Sequence, residues 1–172
     1  MHSIAWWPTI ICLSIATVSD LRSRRIPNWL VFPFLTAGIV VSAVAYGWIG
    51  FAQSVGGILL AALLLGLFYI VGGMGMGDVK LCAGVGAWIG PRQLGFALVF
   101  MGLAGGMMAL AWATFGGFLK ESLNGTSDLI FGLRRRGFRP HQTLVLTNPA
   151  ARRMPYAPAI AIGTILSFFA VS

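Results

Sequence analysis

Apolar residues in this chain come in blocks, at 4–19, 29–46, 51–71, 79–90, 93–118 and 155–171. A half-buried strand alternates every two residues, and a helix on the surface of a soluble domain carries a stripe every three or four. Continuous blocks predict helices that are apolar all round, the kind that sits in lipid. The fourth block is the short one. Its twelve residues rise only about 18 Å as a helix, against a hydrocarbon core of ~30 Å.

Polar positions decide the direction of travel. With six crossings and both termini outside, the cytoplasmic side receives eleven of the twelve basic residues and only Arg92 faces outward. If the fourth block failed to cross, the seven basic residues between 119 and 153 would face outward, against the positive-inside rule. The fourth block therefore crosses, extended by the glycines before it or helped by local bilayer thinning. Trp6, Trp7, Tyr46, Trp48 and Trp88 then fall near the outer interface, where aromatic rings are favoured. The expected fold is an all-α integral membrane protein with six transmembrane helices. It forms a single domain over 1–172. The N-terminal block lacks the basic start and small-residue cleavage site of a signal peptide, and reads as a retained helix.

Composition agrees: 58% of residues are hydrophobic and 9% charged, where a soluble domain carries roughly 25% charged residues. In this setting the net charge of +8 marks topology and contact with anionic lipid. It is not read as a nucleic-acid surface. The polar segment 119–153 is the largest part of that basic surface. Cys12 and Cys82 lie inside apolar blocks without metal spacing, and His2 and His141 are isolated, so neither a metal nor another cofactor is expected.

Against this background "GGMGMGDVK", residues 72–80, stands out. The chain has four acids, Asp20, Asp78, Glu121 and Asp128. Glu121 and Asp128 lie in the polar segment, where water solvates them. Asp20 closes the first apolar block and Asp78 opens the fourth, so both fall at the same membrane edge. Acids at membrane depth are costly and point to function. The glycines do not complete a dinucleotide fingerprint, because Asp78 stands at its third glycine position, and no G-K-[ST] follows for a P-loop. Gly73 and Gly77 could bring helices close at their four-residue spacing, but that leaves the aspartate unexplained. Two carboxylates sharing a site cannot both ionise easily, and such a pair can activate water while protonating a leaving group. Glycines beside Asp78 would let a substrate backbone approach it. A small transporter using the two acids as a proton relay is the alternative. It requires ionisable groups near mid-membrane, and none is found there.

Three patches in order, "SDLRSRRIPN" at 19–28, "GMGDVK" at 75–80 and "RMPYAPAIAIG" at 153–163, resemble the type IV prepilin peptidases, GxGD membrane aspartic proteases. The resemblance spans nearly the whole chain and implies a catalytic pair at Asp20 and Asp78. Gly75 and Gly77 match the motif glycines and Lys80 its lysine. The family removes the short basic leader of pilin-like precursors at the cytoplasmic membrane face, so such precursors are the implied partners. Longer members also methylate the new N-terminus and carry a cytoplasmic insert with paired C-x-x-C cysteines. No C-x-x-C is present here, and the chain resembles the short type associated with Flp (Tad) pili, to which the methyltransferase activity does not carry over. Arg22 is close enough in sequence to influence Asp20, though it also serves to fix topology. Lys80 either pairs with the dyad or snorkels to head groups, and Pro27 and Asn28 start the second helix. Asp78 opens a helix, at the positive end of its macrodipole, and Asp20 closes one. On that count Asp20 is expected to keep the shared proton and Asp78 to be the base.

Overall fold

The computed structural model describes residues 2–71, 74–115 and 156–170, and every regular element among them is helical. The elements are α1 (His2–Ser23), α2 (Asn28–Ile70), α3 (Met76–Phe115) and α4 (Ala157–Ala170). The basic segment 119–153, with Glu121 and Asp128, lies outside the described residues, as does Gly73.

Neither long element is one straight rod. A 43-residue α2 would run about 65 Å, twice the hydrocarbon thickness. It breaks at Gly47, whose φ of 60° and ψ of −144° are non-helical. α3 breaks in the same way at Gly90, with φ 76° and ψ 172°. Positive φ there suits a residue without a side chain. The reversal at Gly47 is sharp, since a Cβ on Gly50 would land on the Ser42 carbonyl. The described residues therefore hold six helical segments, close to the six apolar blocks of the sequence.

Contacts fix how the segments alternate. At one end Ile26 meets Gly77, and Tyr156 meets Gly105. At the other Gln53 meets Gly90, Pro91 meets Gly56, and Trp6 stacks edge-on against Phe168 at 4.6 Å. Each segment thus runs opposite to its predecessor. Asp20 and Asp78 share the first end, and Arg92 lies at the second.

The short fourth segment is the centre of the bundle. Every residue from Leu81 to Gly90 is buried, enclosed by protein rather than lipid. The helix takes in Gly77 of the glycine stretch, one of the two expectations, and in place of the other, bilayer thinning, the burial offers a different account: a helix shielded by its neighbours need not match the hydrocarbon thickness. Lipid tails are as apolar as leucine, so close packing and hydrogen bonds hold such a bundle together more than apolar burial does. The packing is close. A Cβ on Gly57 would strike the Gly86 carbonyl, and one on Gly163 would lie 2.7 Å from the Ala97 carbonyl. Trp88 belongs to this core. It is 6% exposed, lies stacked on Phe34 at 5.6 Å, and donates its indole N–H to the Phe34 carbonyl at 2.9 Å. It is not the interfacial ring that the sequence suggests.

The outward surface has the opposite character. α2 and α3 are each long and apolar enough to cross a membrane, and only 22% of the most apolar window of each is buried. Val44 is 83% exposed and Leu63 73%. A soluble protein buries such a continuous apolar surface, whereas lipid solvates it.

Candidate active site

Asp20 reaches the interior because of its place on α1. Ala5, Thr9, Cys12, Leu13, Ala16 and Asp20 are the buried positions of that helix, a spacing of threes and fours that makes one face. The carboxylate ends this apolar face and is itself only 6% exposed. A buried carboxylate needs hydrogen-bond donors, and Oδ2 accepts the backbone N–H of Ala157 at 2.9 Å. That donor comes from the first residue of α4, 137 positions along the chain.

Asp78 sits in the first turn of α3, and its own N–H donates to the Gly75 carbonyl at 3.1 Å. The Gly75 backbone lies directly beside the Asp78 carboxylate. The two acids lie within electrostatic range of one another, and Tyr156 and Cys82 lie within range of Asp78.

The motif glycines have steric tasks. A Cβ on Gly75 would lie 3.1 Å from Asp78 Oδ2, and one on Gly77 would lie 3.3 Å from Cβ of Ile26. Gly77 thereby lets "RRIPN" and "GMGDVK" touch. The same two patches are tied again by Lys80, whose ammonium donates to Asn28 Oδ1 at 3.4 Å and stands 5.4 Å from the Phe32 ring centre. The contacts of Lys80 are thus to α2, which it helps to dock on α3. Arg22 is exposed, two residues from the buried Asp20. On a helix that separation places them on nearly opposite faces, and Arg22 lines an open groove with Ser14, Ile15, Val18, Ser19 and Ser23. The loop between α1 and α2 is pinned by Ser19 Oγ, which donates to the Arg25 carbonyl at 3.0 Å. Pro27 caps α2 with an extended φ of −72° and ψ of 133°. Cys12 and Cys82 are free and buried.

The structure therefore gathers Asp20, Asp78, Gly75, Gly77 and Lys80 at one end of the bundle and turns Arg22 away. It adds Ala157 and Tyr156, from the third patch. Residues 7–112, which hold both aspartates and the first two of the three patches, match the type IV leader peptidase family, Peptidase_A24. The chain belongs to this family. It is 28% identical over 174 residues to the prepilin leader peptidase/N-methyltransferase of Bacillus subtilis (strain 168), covering 96% of this chain and 56% of that protein. The protein of the same name from Aeromonas hydrophila is 30% identical over 117 residues, covering 60% of this chain and 40% of its own length. The Escherichia coli (strain K12) protein is 33% identical over 96 residues, with 52% and 42% covered. The chain spans about half the length of these relatives. No solved structure matches it.

Proposed function

We propose that this family member is a membrane aspartic endopeptidase that removes the leader peptide of prepilin-type precursors, with Asp20 and Asp78 as its catalytic pair. One observation carries the reading: two acids 58 positions apart in the chain are neighbours at one end of an apolar bundle, Asp20 held by a backbone N–H at the start of α4 and Asp78 set in the first turn of α3.

A pair of this kind works by dividing two tasks. One carboxylate takes a proton from the attacking water, and the other gives its proton to the peptide as the tetrahedral intermediate forms and collapses. The C–N bond breaks as the nitrogen is protonated, leaving a new carboxylate on the leader and an amine on the pilin. The pair holds one proton between them throughout, so its titration belongs to both acids. Gly75 leaves the approach to Asp78 free of side chain, as a substrate backbone requires.

In this proposal the six helical segments are six crossings, both termini are outside, and the acids face the cytoplasm of a bacterial inner membrane. The positive-inside distribution supports that orientation. The basic loops lie against anionic lipid, the substrate is of the Flp type, and no nucleic acid takes part. Pilin leaders are basic, as this end of the enzyme is, so charge does not draw them together. The apolar helix that follows the leader supplies the attraction. A groove of about 570 Å³ between α1 and the start of α2, lined by Trp7, Ile11, Ile15, Trp29 and Phe34 among others, is suited to such a helix.

The experiment is direct. The purified protein, reconstituted in liposomes with a pilin-like precursor, should release the leader, and Asp20→Asn and Asp78→Asn should each abolish release while remaining folded. Cleavage that survives in either variant would refute the assignment.

A further inference from the structure

The patch at 153–163 contains no acid, and the cleavage chemistry gives it no task. Its place in the fold does. Ala157 is fully buried, and its N–H meets Asp20 Oδ2 at 2.9 Å. The geometry points to the start of α4 as a positioning element of the aspartate pair: the Ala157 N–H holds the Asp20 carboxylate in the orientation that faces Asp78. This inference rests on the leader-peptidase reading above.

The first turn of any helix has N–H groups without an intrahelical partner. In α4 the first internal bond runs from Ile160 N to the Tyr156 carbonyl at 3.1 Å. Pro158 has no N–H to offer. Ala157 and Ala159 are the donors left in that turn, and Asp20 takes the first. Ala157 has no exposure to solvent, so its N–H is not shared with bulk water.

The donor is also anchored. One residue earlier Tyr156 packs against α3, where a Cβ on Gly105 would lie 3.1 Å from the ring and 3.4 Å from the hydroxyl. Tyr156 is also within electrostatic range of Asp78. A shift of α4 along α3 would therefore move the Ala157 donor and the phenol together. Among the described residues, the other titratable groups near the pair are Cys82 and Lys80 from α3, with Arg22 at the end of α1 and Arg24 and Arg25 just after it, all three exposed. α2 contributes Asn28, which does not titrate.

Asp78 stands at the positive end of a helix as well, in the first turn of α3. The expectation that Asp20 keeps the proton set the start of α3 against the end of α1. α4 brings a second helix terminus, opposite in sign to the end of α1, to the Asp20 carboxylate.

Replacing the Ala157 amide by an ester, with lactic acid at that position, deletes this N–H and keeps the side chain. A hydrogen bond to a charged group is strong enough that kcat should fall roughly 10–100-fold. KM should change little, and the acid limb of the pH–rate profile should move up by about one unit. The same replacement at Ala161, within α4, should leave the profile in place. Ala157→Pro, which also removes the N–H where helices accept proline, should repeat the shift if the ester protein folds poorly. A second readout is independent of cleavage. The carboxylate stretch assigned by subtracting the Asp20→Asn infrared spectrum should move in the ester protein and stay put in the Ala161 control. An ester protein with the wild-type pH profile and an unmoved band overturns the inference while leaving the peptidase reading intact. A wild type that cleaves nothing, with a band that still moves, overturns the peptidase reading alone.

Discussion

A methyl group on Gly75 would fall 3.1 Å from Asp78 Oδ2, closer than such contacts normally come, and the carboxylate would have to turn. Gly75→Ala should therefore lower kcat roughly tenfold or more, because small displacements of reacting groups cost that much, while leaving the unfolding temperature near that of the wild type. Steady-state cleavage and a melting curve in detergent check the two halves; a variant with full activity would show that the glycine is there for some other reason. These residues stand out in the sequence because their signal is local. Asp20 and Asp78 are acids where acids are costly, and Gly75 is three residues from one of them. Ala157 was not readable: its contribution is a backbone N–H, which every residue but proline has, and nothing in "PYAPA" marks which carboxylate it meets. Arg22 misled for the converse reason, since nearness in sequence on a helix is not nearness of side chains.

At the scale of elements, the break in α3 is a matter of hydrogen bonds. Pro91 has no N–H, so the Ala87 carbonyl loses the donor that would come four residues later. Two serines of α2 supply replacements: Ser54 Oγ donates to the Ala87 carbonyl at 2.6 Å, and Ser42 Oγ at 3.4 Å. Both are buried. Ser54→Ala removes the shorter bond and should destabilise the protein by about 1–2 kcal/mol, the cost of a buried acceptor losing its main partner. A double replacement with Ser42→Ala should cost more than either alone, and thermal unfolding in detergent measures both. Gly90→Ala should cost a similar amount, about 1–2 kcal/mol, because an L-residue at φ 76° is strained. The break itself was legible, as the apolar pattern is interrupted by "GPRQ". The reason for the short fourth block was not. Hydropathy records how apolar a segment is, and gives the same answer whether lipid or other helices surround it.

For the whole molecule, the alternation of segments makes a claim about sides. Ile26 against Gly77 and Gln53 against Gly90 place the α1–α2 loop and the Gly90 break at opposite ends of the bundle. If the bundle spans a membrane, Arg25 and Arg92 must be separated by it. Both are exposed, and a cysteine at either would be reachable by reagent, whereas the native Cys12 and Cys82 are buried. In intact cells a membrane-impermeant maleimide should label Arg92→Cys and spare Arg25→Cys until the membrane is opened. Neither change reverses the charge bias: of the twelve basic residues, losing Arg92 removes the single outward charge, and losing Arg25 leaves ten inward against one outward. Labelling of both from outside would mean that α1 and α2 do not fold back as the contacts require. Labelling of Arg25→Cys alone would keep the bundle and invert it, placing Asp20 and Asp78 on the outer face, where a leader peptide that stays in the cytoplasm could not reach them.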